Sequence, residues 1–159
     1  MSKDILNALI GQYKNASGMI GKFIDVSTDE SWKATSGGFP GWQQVYHAME
    51  CVYFFLAPAQ TPERASMYPM DVMLLKDVSA PVPAKAAMKA LCEDADRYAD
   101  KFFAALGDDD LLKQHEGASA RFGRPVTNLD AITIMNGHFM YHLGYCDAIL
   151  KENGQPTIF

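Results

Sequence analysis

From Asp4 to Ile24 the apolar residues Ile5, Leu6, Leu9, Tyr13, Ala16, Ile20, Phe23 and Ile24 recur at intervals of three and four, the stripe of an amphipathic helix. Ser2 or Asp4 is placed to cap its start. The stretch Ser36 to Gly41, rich in glycine and proline, predicts a break. After it Trp42, Val45, Tyr46, Met49, Val52, Tyr53 and Leu56 mark a second helix that ends before Pro58. This segment is apolar nearly all round, so it should be deeply buried. Between Pro58 and Pro83 the prolines Pro62, Pro69 and Pro81 resist regular structure, and the length suits a surface crossover between two parallel helices.

The third helix is predicted to begin with Pro83 in its first turn and to bury Ala87, Met88, Leu91, Ala95, Tyr98, Phe102 and Leu106 before Gly107 stops it. From Asp108 to Val126 an acidic triplet, glycines and Pro125 predict an irregular segment with one short helix at Leu111 to His115. A fourth helix starts at Thr127 or Asn128, with Asp130 positioned to complete a capping box, and runs to Gly154. No stretch alternates as a strand does. The expected class is all-α, a four-helix bundle with a long crossover between its second and third helices.

Composition narrows the picture. A chain of 159 residues, 48% of them apolar, buries one sizeable core and is short for two, so residues 1–159 are read as a single domain. The net charge of −5 and the lack of any basic run exclude nucleic acid as a partner. The apolar run from Cys51 to Pro58 falls far below the roughly 20 residues that cross a bilayer, so no membrane partner is expected. Asp4 and Asn7 interrupt the N-terminus, which therefore lacks the form of a signal peptide and predicts a mature protein that begins near Met1. Three cysteines, Cys51, Cys92 and Cys146, are an odd count without paired spacing, which suits free thiols in a reducing cytoplasm.

The candidate chemistry lies in the histidines. His138 and His142 stand four apart on the fourth predicted helix, so their side chains leave one face with Cβ atoms about 5–6 Å apart. Their neighbours Ile134, Met135, Tyr145, Cys146 and Ile149 are mostly apolar. A buried imidazole needs partners for its ring nitrogens, and one metal ion supplies a partner to several rings together; hydrogen bonds to serine, tyrosine or backbone are the alternative. His47 lies mid-way along the second helix, with Gln43, Gln44, Glu50 and Cys51 on its face. His115 falls outside the predicted long helices and should be exposed.

Three neutral imidazoles form a ligand set with an open position, as in catalytic rather than structural zinc sites. An ion held by neutral ligands keeps its full charge and acidifies water toward a pKa of about 7, which makes hydrolysis or thiolate activation possible. Cys51 and Cys146 each follow a proposed ligand by four residues, so either thiolate could close the shell. Glu50 is the one carboxylate near the set and the candidate catalytic base, or equally a helix-surface carboxylate. Imidazole suits zinc, nickel, cobalt and iron alike. No glutamate stands three residues before any of the three histidines, as a carboxylate-bridged di-iron bundle requires. No His-Glu-x-x-His, Gly-x-Ser-x-Gly or glycine-rich phosphate loop occurs either.

The run His138-Phe139-Met140-Tyr141-His142-Leu143-Gly144, with Trp42 five residues before His47, resembles the DinB-like family of damage-inducible helical bundles, which is similar to the bacillithiol and mycothiol S-transferases. The resemblance spans nearly the whole chain in helix count and order. It implies an up-down-down-up bundle, a divalent ion, usually nickel or zinc, on His47, His138 and His142, a low-molecular-weight thiol as candidate cofactor, a small-molecule substrate and a homodimer. Tyr141 and Tyr145 stand where the family often has a second histidine and a glutamine, and all three ligand positions are kept. Two functions follow as expectations: a metal-dependent thiol S-transferase or hydrolase, or a non-catalytic bundle in which the ion stabilises fold or dimer. An open pocket lined by Tyr145 and Met135 would favour the first.

Overall fold

The computed structural model describes residues 2–60 and 64–159; Met1 and Pro62, named above, lie outside them. Helix α1 spans Asp4–Val26 and buries Leu6, Tyr13, Ala16, Ile20, Phe23 and Ile24 of the predicted stripe, whereas Ile5, in its first turn, is exposed and Leu9 is half-buried. Its cap differs from the one expected. Lys3 holds the N-cap position without a side-chain bond, and the Leu6 N–H instead donates to Asp108 Oδ1 at 2.9 Å. Ser2 Oγ donates to the other oxygen of the same carboxylate at 2.8 Å. A remote carboxylate thus satisfies the positive end of the helix, a pairing that local sequence does not reveal.

The predicted break is more ordered than a glycine-rich loop. A short helix α2, Asp29–Lys33, is capped by Thr28, and the strands β1 (Thr35–Ser36) and β2 (Phe39–Pro40) form an antiparallel hairpin pairing Thr35 with Pro40 and Ser36 with Phe39. Gly37 and Gly38 supply its turn at φ +63° and +89°, values open to glycine at little cost. Two-residue strands are too short to show alternation.

Helix α3, Gly41–Leu56, follows directly and is buried on almost every side, including Gln43, Gln44 and Glu50. Among the described residues the long crossover after it carries one short helix, α4, Met70–Met73. It is tied to α3 by polar groups: Gln43 Nε2 donates to the carbonyls of Val72 and Asp77 at 2.9 and 2.8 Å, and the Tyr68 N–H donates to the Tyr46 hydroxyl at 3.1 Å.

Helix α5 spans Lys85–Ala104 and starts after Pro83 rather than on it, since Ala84 is the extended N-cap. Its buried face is Met88, Leu91, Ala95, Ala99 and Phe103; Met88, Leu91 and Ala95 lie as expected, Ala87 is exposed, and towards the C-terminus Ala99 and Phe103 are buried while Tyr98, Phe102 and Leu106 are only partly so. The predicted short helix at Leu111 to His115 does not form. A 3-10 turn occupies Asp108–Asp110, and helix α6 runs Glu116–Phe122. His115 is its cap, accepting the Ala118 N–H at Nδ1 over 3.1 Å. Expected to be exposed, His115 is buried and stacks on Phe102.

Helix α7, Asn128–Glu152, begins with the predicted capping box. Thr127 Oγ1 accepts the Asp130 N–H at 3.0 Å, and Asp130 Oδ2 accepts the Thr127 N–H at 2.9 Å. The four long helices touch in a closed circuit, α1 on α5 and α7, and α3 on both as well, around one continuous apolar core. The molecule is predominantly helical. No helix among the described residues is long and apolar enough to cross a membrane.

Candidate metal centre

The contact between α3 and α7 brings three histidines together. His47 Nε2 lies 2.9 Å from His138 Nε2, and His142 Nε2 lies 3.1 Å from that same atom. The ring centroids of His47 and His142 are 4.6 Å apart. Phe55 packs edge-on against the His138 ring and Tyr141 against that of His142. The three predicted ligands therefore share one locus.

Their outer nitrogens decide what they present to one another. His47 Nδ1 is 2.6 Å from the Met73 carbonyl oxygen. A carbonyl only accepts, so Nδ1 carries the proton and Nε2 the lone pair. His142 Nδ1 is 2.6 Å from Gln44 Oε1. The orientation of that amide is fixed in turn, because Gln44 Nε2 donates to the Ser36 carbonyl at 3.0 Å. His142 is thus also an Nδ1–H tautomer with its Nε2 lone pair directed inward.

Two lone pairs converge on His138 Nε2, and His138 Nδ1 is buried without a hydrogen-bond partner among the described residues. A single proton on His138 Nε2 serves one neighbour well, and if that is His142, His47 Nε2 is left with the Cys51 thiol, a weak donor 3.6 Å away. A cation at the centre satisfies all three. Two nitrogens each about 2.0–2.1 Å from one ion lie roughly 2.9 Å apart at a right angle and roughly 3.3 Å apart at the tetrahedral angle, a range that holds the two separations measured from His138, and outer hydrogen bonds to a carbonyl and an amide are how protein ligands to metals are normally oriented. The arrangement is compatible with a shared cation at His138.

Burial lowers the proton affinity of all three rings. The pKa of His47 is depressed, that of His138 falls to about 4 and that of His142 to about 3, in each case chiefly by loss of solvation, reinforced for His138 and His142 by the neighbouring imidazoles. The rings stay neutral, as ligation demands.

Cys51 is a further donor at this locus. Its Sγ is 3.6 Å from His47 Nε2, and His47, Cys51 and His138 form a group whose ligand atoms all lie within 4.8 Å of one another, so they could hold a metal ion. Cys146 is buried in the core and makes no hydrogen-bond contact with a histidine among the described residues. Glu50 shares α3 with these ligands, but its carboxylate pairs through Oε2 with Arg64, whose guanidinium lies 3.8 Å over the Tyr53 ring. Glu50 Oε1 is buried without a partner among the described residues.

Met135 is wholly buried and Tyr145 lines only a shallow groove with Ser36, Tyr141, Gly144 and Ala148, so the pocket expected between those two residues is not formed. The larger opening is a crevice of about 800 Å³ along the crossover, from Arg64 to Met73. Met73, which holds His47 through its carbonyl, forms one end of it. Gln44 and Met73 are the positioning groups that residue patterns did not assign. A buried glutamine on an apolar helix was the one signal for Gln44; a backbone carbonyl leaves none.

Comparison with family models, with curated proteins and with solved structures finds no match to this chain.

Proposed function

We propose that this chain is a divalent-metal-dependent enzyme of the DinB-like kind, a four-helix bundle in up-down-down-up order that holds its ion on His47, His138 and His142. One observation carries the proposal: two imidazoles whose inward lone pairs are fixed by Met73 and Gln44 meet at a third imidazole whose Nδ1 has no hydrogen-bond partner among the described residues. The long connection between α3 and α5 supports the helix order. Nickel and zinc are the favoured ions.

A bound ion supplies Lewis acidity to the sulfur of a small thiol or to water. The protein's own share is to keep three neutral donors in register, to exclude bulk water with Phe55 and Tyr141, and to leave His47 and His138 partly accessible. Transfer of a low-molecular-weight thiol to a small electrophile is the first choice of reaction and hydrolysis the second. Glu50 is the candidate base, through Oε1, which has no partner among the described residues. The molecule is proposed to work as a cytoplasmic homodimer.

The test is to assay metal-loaded and metal-stripped protein side by side for thiol transfer and for hydrolysis. Activity should require loading and be absent from His142→Ala. Equal turnover by stripped protein would sink the proposal.

The nearness of Cys51 favours a second reading, a closed site in which the ion only stabilises the fold or dimer. A structural ion of that kind should cost several kcal/mol of stability when removed, whereas an ion in a preformed bundle leaves stability little changed.

A further inference from the structure

The locus is built from two pairs of residues with the same spacing. Helix α3 offers His47 and Cys51, four apart, and α7 offers His138 and His142, four apart; residues so spaced project from one helix face about 5–6 Å apart at Cβ. The two helices pack against each other, so both pairs face a common space. Adjacent sulfur and nitrogen ligands, about 2.3 Å and 2.0–2.1 Å from one zinc, lie roughly 3.1–3.6 Å from each other. Cys51 Sγ is 3.6 Å from His47 Nε2, and its contact with that ring is the only hydrogen-bonding interaction its thiol makes among the described residues. It is buried and in no disulfide.

We propose that Cys51 is the fourth protein ligand, so that the ion is held by three imidazoles and one thiolate, two donors from each helix. This rests on the metal reading of the same site, and because a fourth protein donor closes the shell it favours the second, structural reading over the catalytic one. Ligation forms one sulfur–metal bond as the thiol proton leaves to solvent, with no change of oxidation state. The soft thiolate selects thiophilic ions such as zinc, cobalt(II) and cadmium over magnesium or manganese, which three imidazoles alone discriminate less. Cys146, equally spaced from His142, takes no part.

The experiment is a cobalt(II) titration of metal-free full-length protein followed by absorption. Wild type should develop visible ligand-field bands together with a near-ultraviolet thiolate-to-cobalt charge-transfer band. Cys51→Ser and Cys51→Ala should lose the charge-transfer band and keep the ligand-field bands, and Cys146→Ser should keep both. Retention of the ligand-field bands also reports that the Cys51 variants are folded. Cobalt bound by wild type without a charge-transfer band, or a band that survives both Cys51 variants, would overturn the role of Cys51 and leave the three-histidine site standing. A full wild-type spectrum that persists unchanged in His142→Ala would instead defeat the three-histidine set and retain Cys51. No cobalt uptake by wild type would overturn both.

Discussion

His142 Nδ1 donates to Gln44 Oε1 over 2.6 Å, and the far end of the same amide grips the Ser36 carbonyl in the hairpin. A ligand on α7 is therefore aimed by a side chain on α3 that is itself aimed by the β1–β2 turn. Replacing Gln44 with leucine keeps the volume and removes the acceptor. Partners of this kind contribute about 10- to 100-fold to metal affinity, so Gln44→Leu should weaken binding by that factor in a chelator competition while the helical circular dichroism is unchanged. Unaltered affinity would show that the amide is packing alone.

The hairpin itself offers a second handle on the same ligand. Gly37 sits at φ +63°, and a Cβ built there would clash with the Tyr145 ring. Gly37→Ala is thus opposed both by backbone conformation and by contact. The expected result is a shifted turn, a displaced Ser36 carbonyl and weaker metal binding, measured by the same competition. Gly38, with no neighbour within 4 Å of its Cβ position, is the control: Gly38→Ala strains the turn without moving Tyr145 and should affect metal binding less.

Acid should destabilise the metal-free protein, and the sign follows from the depressed histidines. Above the unfolded value of 6.5 both states are neutral and the contribution is complete. As pH falls below 6.5 the unfolded chain binds protons first, and stability declines until the folded rings titrate, near 4 for His138 and near 3 for His142. Each group contributes at most roughly 1.4 kcal/mol per pH unit in that window. Urea midpoints at pH 7 and pH 5 measure this, and the fall should be smaller in His142→Gln.

The start of α7 was fully legible in the sequence, and it makes a clean stability test. Thr127 and Asp130 form the reciprocal cap that their spacing predicts, so Thr127→Ala should cost about 1 kcal/mol, read as a lowered urea midpoint with unchanged metal content. The four long helices and the three histidines were legible for a related reason, since apolar spacing and an i, i+4 pair are local signals. What escaped depends on residues distant in sequence. Asp108 caps α1 from across the chain. His115 caps α6 and is covered by Phe102, so a residue expected in solvent is buried. The hairpin hides in strands too short to alternate. Gln44 and the Met73 carbonyl orient ligands only once α3, α4 and α7 are in place.

Whether His47, His138 and His142 hold an ion is decided most directly by the metal content of tag-free protein. Elemental analysis would compare wild type with His47→Ala, His138→Ala and His142→Ala after equal exposure to zinc or nickel. About one ion per chain is expected in wild type, and loss of that ion in all three variants. Wild-type protein that retains no ion after this exposure would contradict the metal centre, and would leave the three facing imidazoles as core packing.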